Sequence, residues 1–329
     1  MTGVSLGALN AYILAAHQPN EKDKAIERLR KFWIEFSQRE PYKEWAGGFI
    51  YGFFFEKGIY DIAPTANFIR EQFADLTEVY CHLNIAVTNI LNGQFSIFDE
   101  STPFQDLMNI LVASVSFSGI SPAQEHGDSI YISGNAVYEN DVLSVINHCE
   151  SLGYAEQDIV IDTILSGKRS ISDYDGSGAN AFSVLKRSSV VFKYYQHMHG
   201  IMRAKDGHRN VNFRYVVGPE FDLPSKVIPL NYSERETEML MELGERDAKG
   251  TIYKLLYKTD EEISERINSS MEIRFYNKER QRRHEEKMRS VFNAFISREI
   301  QKVTEAAQRA HGWKTHPVVP DDGVDNFDM

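Results

Sequence analysis

The sequence predicts an α/β fold, a mostly parallel sheet with helices on both faces, followed by a charged helical extension. Three observations carry this. Strand-like and helical segments alternate from the first residues to about residue 217, the pattern of parallel strands joined by crossover helices. A serine between two glycines stands directly ahead of an apolar helix at the start of the chain. Beyond Tyr257 the chain becomes rich in Glu, Arg and Lys, and Asp260 to Ala310 holds neither glycine nor proline.

Gly3-Val4-Ser5-Leu6-Gly7 fits G-x-S-x-G, and Ala8 to Ala16 is small or apolar apart from Asn10. This is the sequence form of a nucleophile elbow. The serine sits on a sharp, strained strand-to-helix turn, so the residues two positions to either side are expected to be small. The helix that follows aims its positive end at a reacting oxygen. Such a serine can be acylated when a base takes its proton. A plain strand-to-helix turn is the alternative for the pentapeptide taken alone. Only Met1 and Thr2 precede Gly3, and the expectation is a domain without its full opening strand.

Pro19-Asn20 ends the first helix. Lys22 to Arg39 reads as an amphipathic helix with Ile26, Leu29, Phe32, Trp33 and Phe36 on its inner face. The segment Gly47 to Gly58 carries Phe49, Tyr51, Phe53, Phe54 and Phe55; burial is the favoured reading, and an apolar lip for a lipid chain the other. Pro64 to Ala74 is helical, opened by proline. Val79 to Ile90 is strand-like, Asn92-Gly93 turns the chain, and Gln94 to Phe98 returns as a second strand. Pro103 to Phe117 is a helix with Leu107, Ile110, Leu111 and Val115 facing inward. A loop at Ser118 to Pro122 leads to a strand at Ser129 to Ile132, a helix at Val142 to Leu152 and a buried strand at Ile159 to Ile164. Gly167 to Gly178 is loop-like, Ala179 to Met202 helical, Val211 to Val217 a strand, and Pro219 to Pro224 a loop. The expected domain runs over residues 1–257, the charged helical extension over 258–316 and a disordered tail over 317–329.

The formal net charge of -11 argues against nucleic-acid binding. No apolar run reaches membrane-spanning length. Cys81 and Cys149 are the two cysteines, so no disulfide framework or cysteine metal site is implied, and a reducing compartment is expected. The start carries no signal-peptide pattern. His197-Met198-His199 does not form a metal pair, because positions i and i+2 do not share a helix face. Gly176-Ser177-Gly178 lacks the Lys-Ser/Thr of a phosphate loop. Arg280-Gln281-Arg282-Arg283 is basic, but Glu279, Glu285 and Glu286 neutralise it.

Four segments, taken in order, resemble the patatin-like phospholipase family. Gly3 to Ala11 looks like its elbow. Leu111-Val112-Ala113-Ser114-Val115-Ser116-Phe117-Ser118-Gly119-Ile120-Ser121-Pro122 resembles the serine-rich segment ahead of its second motif. Tyr131-Ile132-Ser133-Gly134-Asn135-Ala136, continuing to Asn140, resembles the Asp-Gly-Gly/Ala motif. Leu230 to Glu234 with Leu243 to Ala248 is similar to the usual end of such domains. The resemblance implies a three-layer α/β/α sandwich and a lipid acyl hydrolase that needs no cofactor or metal. Its substrates would be phospholipid or neutral-lipid acyl esters, met at peripheral contact with membranes or lipid droplets from the cytoplasm.

The family's dyad pairs the serine with an aspartate that acts as base. Here the nucleophile position is Ser5, and the aspartate position is Ser133, within a second motif that includes Gly134 and Asn135. A serine has no useful basicity at neutral pH. The family's glycine-rich oxyanion loop should lie upstream of the elbow, and the expectation is that this domain lacks it. Asp128, Glu139 and Asp141 are the nearest alternative carboxylates in sequence. The sequence therefore predicts an impaired hydrolase or, alternatively, an inactive patatin-fold module that binds lipid or protein. A Ser–His–Asp triad using His197 or His199 is a third arrangement, but its enzymes usually have more sheet ahead of the elbow.

Overall fold

The computed structural model describes residues 1–256 except 172, 222, 224, 225 and 227. The expected divisions at 258–316 and 317–329, and the basic cluster at Arg280 to Arg283, lie outside the described residues. Those that are described belong to one compact unit, Met1–Lys258.

Strand β1 (Thr2–Val4) leads into helix α1 (Leu6–Ala15). Helix α2 (Lys22–Ser37), helix α3 (Gly48–Phe55) and helix α4 (Ala63–Phe73) follow. Strand β2 (Asn84–Asn89) and strand β3 (Phe95–Asp99) form a hairpin, and helix α5 (Phe104–Ser114) comes next. A second hairpin joins strand β4 (Gln124–His126) to strand β5 (Ser129–Ser133) ahead of helix α6 (Val142–Ser151). Strand β6 (Val160–Ile164), helix α7 (Ala181–Gly207), strand β7 (Asn212–Val217) and helix α8 (Glu234–Leu256) complete the series.

The α/β class holds. Parallel pairing joins β1 to β2 and β6 to β7. The other three pairings are antiparallel: β2–β3 and β4–β5 are hairpins, whose short turns can link only antiparallel neighbours, and β2–β5 joins the two hairpins. The strand expected over Val79 to Ile90 forms only at Asn84–Asn89. The β4 strand was not anticipated; its Gln-Glu-His sequence carries no apolar alternation.

Every residue of β2 is buried, so both faces of the sheet are covered. On one face, Ile85 and Val87 join a core with Ala8, Tyr12 and Ile13 of α1, Phe32 and Phe36 of α2, Phe68 and Phe73 of α4, and Ile110 and Leu111 of α5. The Phe32 ring lies between 5.1 and 6.3 Å from those of Trp33, Phe36, Phe68 and Phe73. Burial pushes the Tyr12 phenol up, and its hydroxyl donates to the Leu76 carbonyl. On the opposite face, the Thr2 hydroxyl donates to Asp141 at the start of α6. Ile26, expected on the inner face of α2, is exposed, because the buried stripe of that helix runs through Ala25, Phe32 and Phe36 and Ile26 lies to one side of it.

A second core gathers Val142 and Ile146 of α6, Ile161 of β6, and Ile201 and Ala204 of α7. Here β6 alternates rather than being buried throughout. Ile161 and Thr163 face in, while Val160 and Ile164 are exposed, the period-2 pattern of a strand packed on one face.

Helix α8 opens with a reciprocal cap. The Ser233 N–H donates to Glu236 at 2.9 Å, and the Glu236 N–H reaches the Ser233 hydroxyl at 3.4 Å. Lys226 Nζ lies 2.9 Å from both Glu236 oxygens. Desolvation alone would raise this carboxyl, but Lys226 and Ser233 outweigh it and hold its pKa down to about 2. A depressed carboxylate stabilises the fold above its ordinary value of 4.5, and the contribution is lost as pH falls toward 2. Glu236→Gln is therefore expected to make the melting temperature fall less steeply than in the parent across that window. Equal slopes in calorimetry at matched pH values would contradict the assignment.

Candidate functional site

The chain leaves β1 and enters α1 within a single residue. Ser5 makes this turn at φ 57° and ψ -132°, a left-handed conformation that a non-glycine residue adopts only under strain. The Ala8 N–H donates to the Ser5 carbonyl at 2.9 Å and closes the first turn of α1. Gly3 is required by this packing. A Cβ there would stand 2.5 Å from Ala8 Cα and from the Gly7 carbonyl oxygen. Gly7 differs from expectation: a Cβ at that position meets nothing within 4 Å, so among the described residues no crowding requires it to be small.

Parallel pairing sets Val4 opposite Ala86. On β2, the next residue, Val87, pairs with Ser133 at the end of β5. Strands β1 and β5 therefore share β2 end to end, and the turn at Ser5 and the end of β5 converge there. Gly134 is packed into this junction: a Cβ on it would lie 2.8 Å from the Ala86 carbonyl oxygen and 3.1 Å from Val4 Cγ1. Asn135 follows in a short 3-10 turn, Gly134–Ala136.

The segment after α5 ties the two ends together. The buried Ser114 hydroxyl shares its proton between the carbonyls of Ser5, at 3.3 Å, and Ala86, at 3.2 Å. Two residues on, the Ser116 carbonyl accepts from the Ser133 N–H at 3.0 Å. These clamping roles were not assigned from sequence, although Ser114 and Ser116 fall inside the serine-rich segment singled out there. Ser133 is 1 % exposed, and its hydroxyl is buried without a hydrogen-bond partner, an arrangement that generally costs about 1–3 kcal/mol.

Of the alternative carboxylates, Asp128 is remote and the other two are engaged elsewhere. Asp128 sits in the tight turn between β4 and β5, at the far end of β5 from Ser133. Asp141 caps α6, accepting from the Ser144 hydroxyl at 2.7 Å and from Thr2 at 3.2 Å. Glu139 lies 3.8 Å from His197 Nδ1 on α7. Burial pushes the Glu139 carboxyl up and the His197 imidazole down. Asn140 donates to the His197 carbonyl at 2.6 Å. His199 stacks instead on Tyr138, with ring centres 5.8 Å apart, so the two histidines of that tripeptide serve different neighbours.

Among the described residues, Glu150, Glu156 and His208 form a group able to hold a metal ion, with ligand atoms within 4.8 Å of one another. Sequence reading missed it because the three come from the end of α6, a short turn and the end of α7. They already engage each other: His208 Nδ1 lies 3.0 Å from Glu156 and 3.4 Å from Glu150. No helix among the described residues is long and apolar enough to cross a membrane.

Residues 1–146 match the family model described as patatin-like phospholipase. The match spans β1 through the first half of α6, and so takes in the elbow, the serine-rich segment and the Ser133 turn. Comparison with curated proteins gave no match.

Proposed function

We propose, from the match of residues 1–146 to the patatin-like phospholipase model, that the chain is a lipid acyl hydrolase built around Ser5 whose turnover is impaired at Ser133. Substrates are acyl esters of phospholipids or neutral lipids, reached by peripheral contact with membranes or lipid droplets in a reducing compartment. The reading rests on one observation above all: the left-handed conformation of Ser5 at the strand-to-helix turn. In the reaction, Ser5 Oγ adds to the ester carbonyl and its proton must leave. The alcohol then departs, and water releases the acyl group as a carboxylic acid. The positive end of α1 favours the oxyanion. Ser133 stands where the proton acceptor belongs, and a hydroxyl cannot take that role at neutral pH.

A second reading is favoured by the same serine. With no carboxylate at the turn, the domain serves as a non-catalytic lipid- or protein-binding module. A fluorophosphonate probe separates the two. Faint labelling that disappears in Ser5→Ala is the expected result. Absence of any labelling favours the binding module, and fast stoichiometric labelling of Ser5 would refute the impairment.

A further inference from the structure

Helix α3, Gly-Phe-Ile-Tyr-Gly-Phe-Phe-Phe, contains no ionisable group except the Tyr51 phenol. Contrary to the favoured expectation of burial, Gly52 is its only buried residue. Phe53, Phe54 and Phe55 are 58 %, 71 % and 73 % exposed, and Ile50 and Tyr51 are exposed beside them. Rings pair within the helix, Phe49 with Phe53, Tyr51 with Phe55 and Phe53 with Phe54.

The helix is held firmly despite this exposure. A side chain at Gly52 would run into the Ile59 carbonyl and the Trp45 ring. Trp45 Nε1 donates to the Gly58 carbonyl at 3.0 Å. Ile59 and Tyr60 donate to the carbonyls of Gly119 and Ile120. That loop continues the segment in which Ser114 and Ser116 touch Ser5 and Ser133. The aromatic helix is thus pinned to the wall of the elbow site.

What covers such a face follows from its chemistry. Five side chains of this size and exposure offer roughly 600 Å² of nearly pure apolar surface. A stable protein interface takes about 800 Å² per partner and some ten hydrogen bonds, and here only the Tyr51 hydroxyl is available. An acyl layer demands neither. Eight residues extend about 12 Å, too short to span a core of about 30 Å but suited to lying in the interface. Charges flanking the helix are mixed, Lys43 and Glu44 before it and Glu56 and Lys57 after it, so anionic lipid gains no advantage.

We propose that α3 is a lipid-surface anchor that inserts Phe53, Phe54 and Phe55 into the acyl boundary of a zwitterionic membrane. The proposal rests on the lipid-ester reading and gives that site its surface. The test uses the full chain carrying Ser5→Ala, so that no turnover complicates binding to phosphatidylcholine vesicles. Replacing Phe53, Phe54 and Phe55 together by serine is expected to lower the sedimenting fraction about tenfold or more, with the parent's binding unaffected by high salt. In a separate Phe54→Trp variant, vesicles should shift the emission to the blue. Unchanged binding of the triple variant, or no shift from Phe54→Trp, overturns the anchor. So does light scattering that finds a parent dimer which the triple variant dissolves, with no vesicle binding in either. Failure of the hydrolase reading is seen separately, as an unreactive Ser5 in a chain that still binds vesicles.

Discussion

Ser133→Asp is expected to raise fluorophosphonate labelling of Ser5, and hydrolysis of a soluble butyrate ester, by about a hundredfold. A positioned general base contributes about 10²–10⁴, and the low end applies when the base alone is restored. The site favours the exchange in two ways. The Ser133 hydroxyl has no hydrogen-bond partner, so nothing is broken by replacing it. Burial raises the pKa of a carboxylate, bringing a new aspartate nearer the range in which a base works at neutral pH. The same burial is expected to lower the melting temperature, because an ionised carboxylate is costly to desolvate. Ser133→Asn, of similar shape but without basicity, should leave both rates at the parent level. Ser5→Ala on the Ser133→Asp background should abolish the gain. A folded Ser133→Asp variant that labels no faster than the parent would remove Ser133 from the base position.

How much of this was legible in the sequence depended on how local each signal is. The strained strand-to-helix turn at Ser5 was readable, because Gly3, Ser5 and the α1 residues lie within one short stretch, and their steric demands act over a few residues. The α2 stripe was readable at Phe32 and Phe36 for the same reason. Apolar character alone misled at α3: five aromatic residues between Phe49 and Phe55 promise burial, yet Gly52 is the side that docks, and the rings are left outside. The β6 strand misled similarly, because its second face is covered only if another layer exists there. The clamp at Ser114 and Ser116 was invisible for a different reason. A serine's role depends on which distant carbonyl or N–H the fold brings to it, here from positions more than a hundred residues away for Ser5. Asp128 is set aside by sequence alone, five residues before Ser133 on the same strand, whereas Glu139 and Asp141 are told apart only by their partners in space.

The two glycines of the elbow, equivalent in the motif, are expected to respond in opposite directions to alanine. Gly3→Ala places a methyl 2.5 Å from Ala8 Cα, 2.5 Å from the Gly7 carbonyl oxygen and 2.7 Å from the Ala8 nitrogen. All three are backbone atoms of α1, so no rotamer change relieves the clash, and β1 must separate from the helix. Overpacking of this kind costs about 3 kcal/mol, which for a domain of this size lowers the melting temperature by roughly 6–12 °C. The strain at Ser5 is held by the same contact, so Ser5 labelling should fall with it. At Gly7 the added methyl meets nothing within 4 Å, and the residue lies in the first turn of α1 without a positive φ. Gly7→Ala is therefore expected to be neutral or to stabilise by up to about 1 kcal/mol through helix propensity. Thermal melts of the two variants decide the matter together. Equal destabilisation would mean that the turn is read by both glycines and that the asymmetry in packing around Ser5 is wrong.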